Sequence, residues 1–130
     1  MRKHIWIALS AVIIVLIVLG LSNSLRHSAE YTRERLLKQT PIGTSVEDVI
    51  KINKKRIWRT IDWISYEHGY GIDKWNTPSE SGKTTIGVKS IRVHLGTYWV
   101  LFRTDVIVFY GFDEYSKLVD LHVRKDTDSF

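Results

Sequence analysis

The stretch Val88-Lys89-Ser90-Ile91-Arg92-Val93-His94-Leu95 decides how the second half of the chain folds. Ile91, Val93 and Leu95 alternate with Arg92 and His94, a period of two that gives one apolar and one polar strand face. The segment Leu118–Lys125 repeats the pattern, with Val119, Leu121 and Val123 on one face and Asp120, His122 and Arg124 on the other. Such alternation belongs to an antiparallel sheet with one side laid on a core. Between these segments, Tyr98–Arg103 runs into Val106–Phe112, and Val106 to Phe109 is apolar on both faces, which predicts a central strand. Upstream, Ile61–Tyr66 reads as the first strand. From His68 to Gly87 the sequence is polar and broken by Pro78, Gly82 and Gly87, the composition of a long loop. Gly96-Thr97 and the stretch Gly111–Lys117 have turn chemistry, and Asp126–Phe130 is expected to fray.

Ahead of the strands the period is helical. Thr44 with Glu47, or Ser45 with Asp48, has the spacing at which a hydroxyl and a carboxylate satisfy the free N–H groups of a first helical turn. Val46, Val49, Ile50 and Ile57 then recur on one face, with Lys51, Lys54 and Lys55 largely off it. Leu25–Gln39 is rich in helix formers and lacks Gly and Pro, and Pro41 ends it. Helices first and strands after predict an α+β domain over residues 41–125, a helix with a four- to five-stranded antiparallel sheet. Residues 26–40 form a juxtamembrane helix or linker, and 126–130 a tail.

The N-terminus reads as a membrane anchor. No charged side chain occurs between Ile5 and Leu25, and about 20 apolar residues suffice to cross a ~30 Å hydrocarbon core as a helix. Trp6 stands where an indole favours the headgroup region. A cleaved secretory signal is the alternative, because Arg2-Lys3 precedes the apolar run and Ser22-Asn23-Ser24 supplies small residues. The run is longer than a usual signal core and lacks the Ala-x-Ala pattern. The expectation is therefore a single-pass signal anchor over residues 1–25, in a bacterial inner membrane, with the C-terminal domain outside the cytoplasm.

Charge follows this division. Of 19 Lys and Arg, nine lie between Arg26 and Thr60, facing four acids (Glu30, Glu34, Glu47, Asp48), while Ile61 to Phe130 is slightly acidic. A basic zone next to the anchor suits a lipid bilayer as partner. Nucleic acid is not expected, because the aromatic residues are not interleaved with a basic strand face. With no cysteine in the chain, a disulfide framework, a thiolate metal site and a cysteine nucleophile are excluded.

Two short pieces resemble a known family. The run Pro41-Ile42-Gly43-Thr44-Ser45-Val46-Glu47-Asp48-Val49 is similar to the opening of the SmpA/OmlA (BamE-like) domain. Val108-Phe109-Tyr110-Gly111-Phe112-Asp113-Glu114-Tyr115-Ser116-Lys117-Leu118-Val119-Asp120 is similar to its closing strand and hairpin. The resemblance spans about residues 40–124 and implies two helices and an antiparallel sheet, a fold shared with small β-lactamase-inhibitor-like proteins and used for binding other proteins in bacterial envelopes. Family members are commonly lipoproteins. This chain has no lipid-accepting cysteine, and Asn53-Lys54-Lys55-Arg56 stands where a Gly-x-Pro often follows the helix.

Catalytic and metal chemistry find little support. His4, His27, His68, His94 and His122 are scattered without helical or His-x-His spacing, so no metal or other cofactor is expected. Ser90 and His94 share a strand face with Asp120 within reach of it, but four residues along a strand span about 13 Å, too far for a nucleophile and its base. Arg92, His94, Asp120, His122 and Arg124 are expected to form a solvated, mutually paired face. No small-molecule substrate is indicated. The aromatic cluster Trp58, Trp63, Tyr66, Tyr70 and Trp75 fits either core packing or a protein contact. The expected function is a non-enzymatic, membrane-anchored interaction module of the cell envelope, meeting an envelope protein through Trp63, Tyr66, Tyr70 and Trp75. A membrane-tethered inhibitor or immunity protein is the second reading.

Overall fold

A computed structural model describes residues 2–21, 24–99 and 101–127, without the side chains of 18–21 and 24. Helix α1 covers Arg2–Leu21, and a short 3-10 turn, Ser24–Arg26, precedes α2, Ala29–Gln39. Helix α3 is Val46–Lys54. Six strands follow: β1 (Thr60–Ser65), β2 (Tyr70–Ile72), β3 (Thr84–Ile86), β4 (Lys89–Trp99), β5 (Arg103–Phe112) and β6 (Leu118–Thr127). β1, β4, β5 and β6 make one antiparallel sheet in that order, and β2 pairs with β3 in a second, two-stranded sheet.

Among the described residues no helix is long and apolar enough to cross a membrane. Within α1 the uncharged run 5–21 extends roughly 25 Å at 1.5 Å per residue, against the ~30 Å of a hydrocarbon core. This overturns the expected single-pass anchor, and with it the inner-membrane location and the extracytoplasmic placement of the domain.

Local chemistry sets the helix ends. The Ser28 hydroxyl accepts the Tyr31 N–H at 3.1 Å to open α2, and Ser45 accepts the Asp48 N–H at 3.2 Å to open α3. Glu47 and Asp48 in the first turn of α3 and Lys51 and Lys54 in its last complement the helix dipole. Val46, Val49 and Asn53 are its buried residues. Ile57, expected on the same face, lies beyond the helix end and is exposed. Like charges four apart at Lys51 and Lys55 disfavour a further turn.

The main core lies between the four-stranded sheet and helices α2 and α3. Leu36, Val46 and Val49 meet Ile91, Val93, Val106, Val108, Tyr110, Phe112, Leu118 and Leu121 there. β5 is one of the two inner strands, as expected from its two apolar faces. Its opposite side carries Ile107 and Phe109, which are buried with Tyr70, Ile72 and the partly buried Ile86 beneath the β2–β3 sheet. The segment from His68 to Gly87 is therefore more than a loop: its two short strands roof the second face of the sheet.

Three bulges account for the other departures. Gly96-Thr97 does not turn the chain. β4 continues through it to Trp99, with the register slipping between His94 and Gly96, so Leu95 is the extra residue. A Cβ on Gly96 would stand 2.7 Å from Leu25 Cδ1, so glycine here permits a close approach. A second slip, between Ile61 and Trp63 on β1, leaves Asp62 to pair with Arg92 at 3.2 Å. The third, opposite the Gly111–Phe112 step, pushes Val119 outward, so the core face of β6 is Leu118, Leu121 and Val123. Asp126 and Thr127 belong to β6; the remainder of the expected tail, 128–130, lies outside the described residues.

Candidate functional site

The four aromatic residues expected to form one contact surface are divided by the fold. Tyr70 is buried, 4% exposed, so it is not a surface contact. Its ring packs on Phe109 and edge-on to His122. Trp63 is just over one-third exposed and meets Phe109 in a T-shaped contact, with ring centroids 6.3 Å apart. Tyr66 and Trp75 are exposed, as is Trp58.

Trp75 sits in a turn built by one carboxylate. Asp73 Oδ1 accepts the N–H groups of Trp75 at 2.9 Å and Thr77 at 3.0 Å. Backbone bonds run from Asp73 N–H to the Thr77 carbonyl and from Asn76 N–H to the Asp73 carbonyl. Asn76 takes a positive φ of 58°, which asparagine tolerates better than most residues. The indole, 73% exposed, has the Lys74 ammonium 4.4 Å from its ring centre. It lines a cleft of about 550 Å³ with Glu30, Arg33, Asn76, Asp120 and His122.

The floor of this cleft is polar and tightly connected. The Tyr70 hydroxyl lies 2.7 Å from His122 Nδ1. Burial, with the charge of Asp120 adding to it and Arg33 opposing, pushes the Tyr70 phenol well above its usual range, so it keeps its proton. Where the phenol donates, His122 Nδ1 accepts and the imidazole is the neutral tautomer with its proton on Nε2. Burial lowers the His122 pKa; Asp120 opposes this and Arg33 assists. Arg33 reaches across from α2 to the Asp120 carboxylate at 2.7 Å and to the Leu121 carbonyl at 2.9 Å.

A pH dependence follows. The unfolded chain takes up a proton on His122 near pH ~6.5, before the folded chain does. Stability from this group is complete above that value and is lost as pH falls through the lower folded value. Urea midpoints measured between roughly pH 5 and 8 should drop on the acid side in the wild type and drop less in His122→Gln. Identical curves for the two proteins would rule this out.

The expected face of mutually paired charges is also corrected. Arg92 pairs with Asp62, Arg124 with Asp126, Asp120 with Arg33, and His94 with Asp105, so each partner lies outside the expected set. Asp105 Oδ1 takes bonds from Thr97 at 2.6 Å and Arg103 at 3.3 Å, with His94 Nε2 at 3.1 Å. The Thr97 bond, with His94 and Arg103 adding to it, holds its carboxyl below the usual range against the opposing effect of burial. Ser90 is buried and its hydroxyl donates to the His68 carbonyl at 2.7 Å, which occupies it away from any base. Among the described residues no group of three or more His, Asp or Glu is placed to hold a metal ion.

The carboxylate turn at Asp73 has a counterpart that sequence reading missed. Asp113 Oδ1 accepts the N–H groups of Tyr115 at 2.9 Å and Lys117 at 3.0 Å. The same two backbone bonds close it, and Ser116 has a φ of 61° where Asn76 has 58°. Asp73-Lys74-Trp75-Asn76-Thr77 and Asp113-Glu114-Tyr115-Ser116-Lys117 thus form one turn used twice, each with an exposed aromatic in third place. The shared signal is an Asp followed two residues on by an aromatic, then a residue tolerant of positive φ.

No protein-family model matches the chain, and neither a curated protein nor a solved structure is significantly similar to it.

Proposed function

We propose that the domain is a non-enzymatic protein-interaction module whose contact centre is Trp75. The observation that carries this reading is a large exposed indole on a turn already fixed by Asp73. Binding energy at protein interfaces concentrates in Trp, Tyr and Arg, and a side chain on an ordered turn loses less entropy on binding than one on a mobile loop. The adjoining cleft offers Glu30, Arg33 and Asn76 as polar rim. Of the four residues read from sequence, Trp75 and Tyr66 stay available to a partner, and Tyr70 serves as the support beneath. The resemblance of the Pro41–Val49 and Val108–Asp120 segments to a family that binds proteins favours a protein partner over a small molecule.

A photo-crosslinking side chain placed at position 75 is expected to form a discrete protein adduct in cells, and the same group at position 115, on the matching turn, is expected to form none. Trp75→Ala should abolish binding of the protein so identified, with stability changed by no more than about 0.5 kcal/mol, as for an exposed residue outside the core. Adducts at both positions, at neither, or undiminished binding by the Trp75→Ala protein would sink the reading.

A further inference from the structure

A second cleft, of about 680 Å³, opens at the far end of the molecule from the Asp113 turn, between α2, the segment after α3 and the part of β4 that runs past its pairing with β1. Thr32, Arg35, Gln39, Arg56, Trp58 and Arg59 line it, and none of its lining residues is acidic. No ion pair among the described residues involves Arg35, Arg56 or Arg59. Three guanidiniums thus share one concavity without a carboxylate partner. Like charges in one cleft repel, and the arrangement is stabilised by an anion that neutralises them.

The cleft is built rather than incidental. Arg59 is half-buried, and its Nη1 donates to Asn53 Oδ1 at 3.0 Å. Asn53, buried at 1% exposure, is itself held by Nδ2 donating to the Val49 carbonyl at 2.9 Å and to the Tyr110 hydroxyl at 3.3 Å. One edge of the Arg59 guanidinium is thereby fixed to the core. Burial lowers the Arg59 pKa against the effect of Tyr110, and the charges of Arg56 and Arg35 lower it further, so the three act on one another.

Arginine forks match tetrahedral oxyanions, and phosphate, free or as a monoester, brings the negative charge that three guanidiniums without carboxylate partners can neutralise.

We propose that this cleft is a binding site for phosphate or a small phosphate monoester, held by Arg35, Arg56 and Arg59. Exposed Trp58, at the rim, gives the organic part of an ester an apolar wall. The site is separate from the Trp75 surface, so neither reading depends on the other.

Titration calorimetry of the full chain with inorganic phosphate, at fixed ionic strength and neutral pH, tests this. Phosphate is expected to bind one site. Arg35→Gln and Arg56→Gln, both exposed, should each weaken it about tenfold, the value of one charge-assisted hydrogen bond. A glycerol phosphate titration distinguishes the sources: tighter binding than inorganic phosphate assigns an ester, weaker binding assigns the free ion. Absence of phosphate binding at millimolar concentration, or binding untouched by the arginine substitutions, overturns the proposal.

Discussion

Tyr110→Ala is expected to lower stability by about 3–5 kcal/mol, as removal of a buried aromatic ring from a core does. Tyr110 is fully buried in the inner strand β5, flanked across the ladder by Ile91 and Leu121, which are themselves buried. Alanine there leaves a cavity that the paired strands cannot close, because the ladder on either side fixes their spacing. It also withdraws the hydroxyl from Asn53. Small domains hold only about 5–15 kcal/mol in total, so a loss of this size should be plain in the urea midpoint. Tyr110→Phe keeps the volume and should cost about 1 kcal/mol. An alanine variant within 1 kcal/mol of wild type, on the same scale of core losses, would falsify this placement of the core.

The second large effect is on the opposite face. Tyr70→Ala should also cost about 3–5 kcal/mol, because the ring fills the space between the β2–β3 sheet, Phe109 and His122. Its consequences should be local in a way those of Tyr110 are not. The two-stranded sheet is joined to the rest chiefly by this cluster, and such satellite units open below the global unfolding free energy. Hydrogen exchange in Tyr70–Ile72 and Thr84–Ile86 should therefore accelerate more than in β5. Tyr70→Phe isolates the hydrogen bond: leaving His122 Nδ1 without its partner should cost about 1–3 kcal/mol. Were Tyr70 a surface contact, the alanine variant would change stability by no more than about 0.5 kcal/mol.

The contrast between these two tyrosines marks how far the sequence alone could be read. Strand alternation from Ile91 to Leu95 announces its own face, and the two-sided apolar run at Val106–Phe109 announces its inner place. Ser45 with Asp48 announces a helix start. Tyr70 carries no such signal, because its burial depends on which way a Gly-flanked segment folds over the sheet. That is a long-range packing event, set by Phe109 and His122 some forty and fifty residues further on. Bulges are equally silent: Gly96 looks like a turn residue, and only Leu25 pressed against it explains why the strand continues. The arginine cleft was invisible for the same reason. Arg35 belongs to one helix and Arg56 and Arg59 to the segment after another, and only the folded chain brings them to one concavity. The apolar N-terminal run misled differently. Composition speaks to hydropathy, while spanning depends on the length of apolar helix, and the uncharged run 5–21 within α1 is shorter than the ~30 Å hydrocarbon core is thick.

The paired turns at Asp73 and Asp113 carry an evolutionary freedom. What the turn requires is the carboxylate in first place and a residue tolerant of positive φ in fourth. Its third residue donates only a backbone N–H, which any amino acid but proline can supply, and its side chain points away from everything the fold needs. Trp75 and Tyr115 thus occupy positions on which folding exerts no preference. If contact centres on Trp75, the indole answers to a partner while Tyr115 does not, and exchanging only the third residues of the two turns would move the contact to the Asp113 turn with the scaffold unchanged.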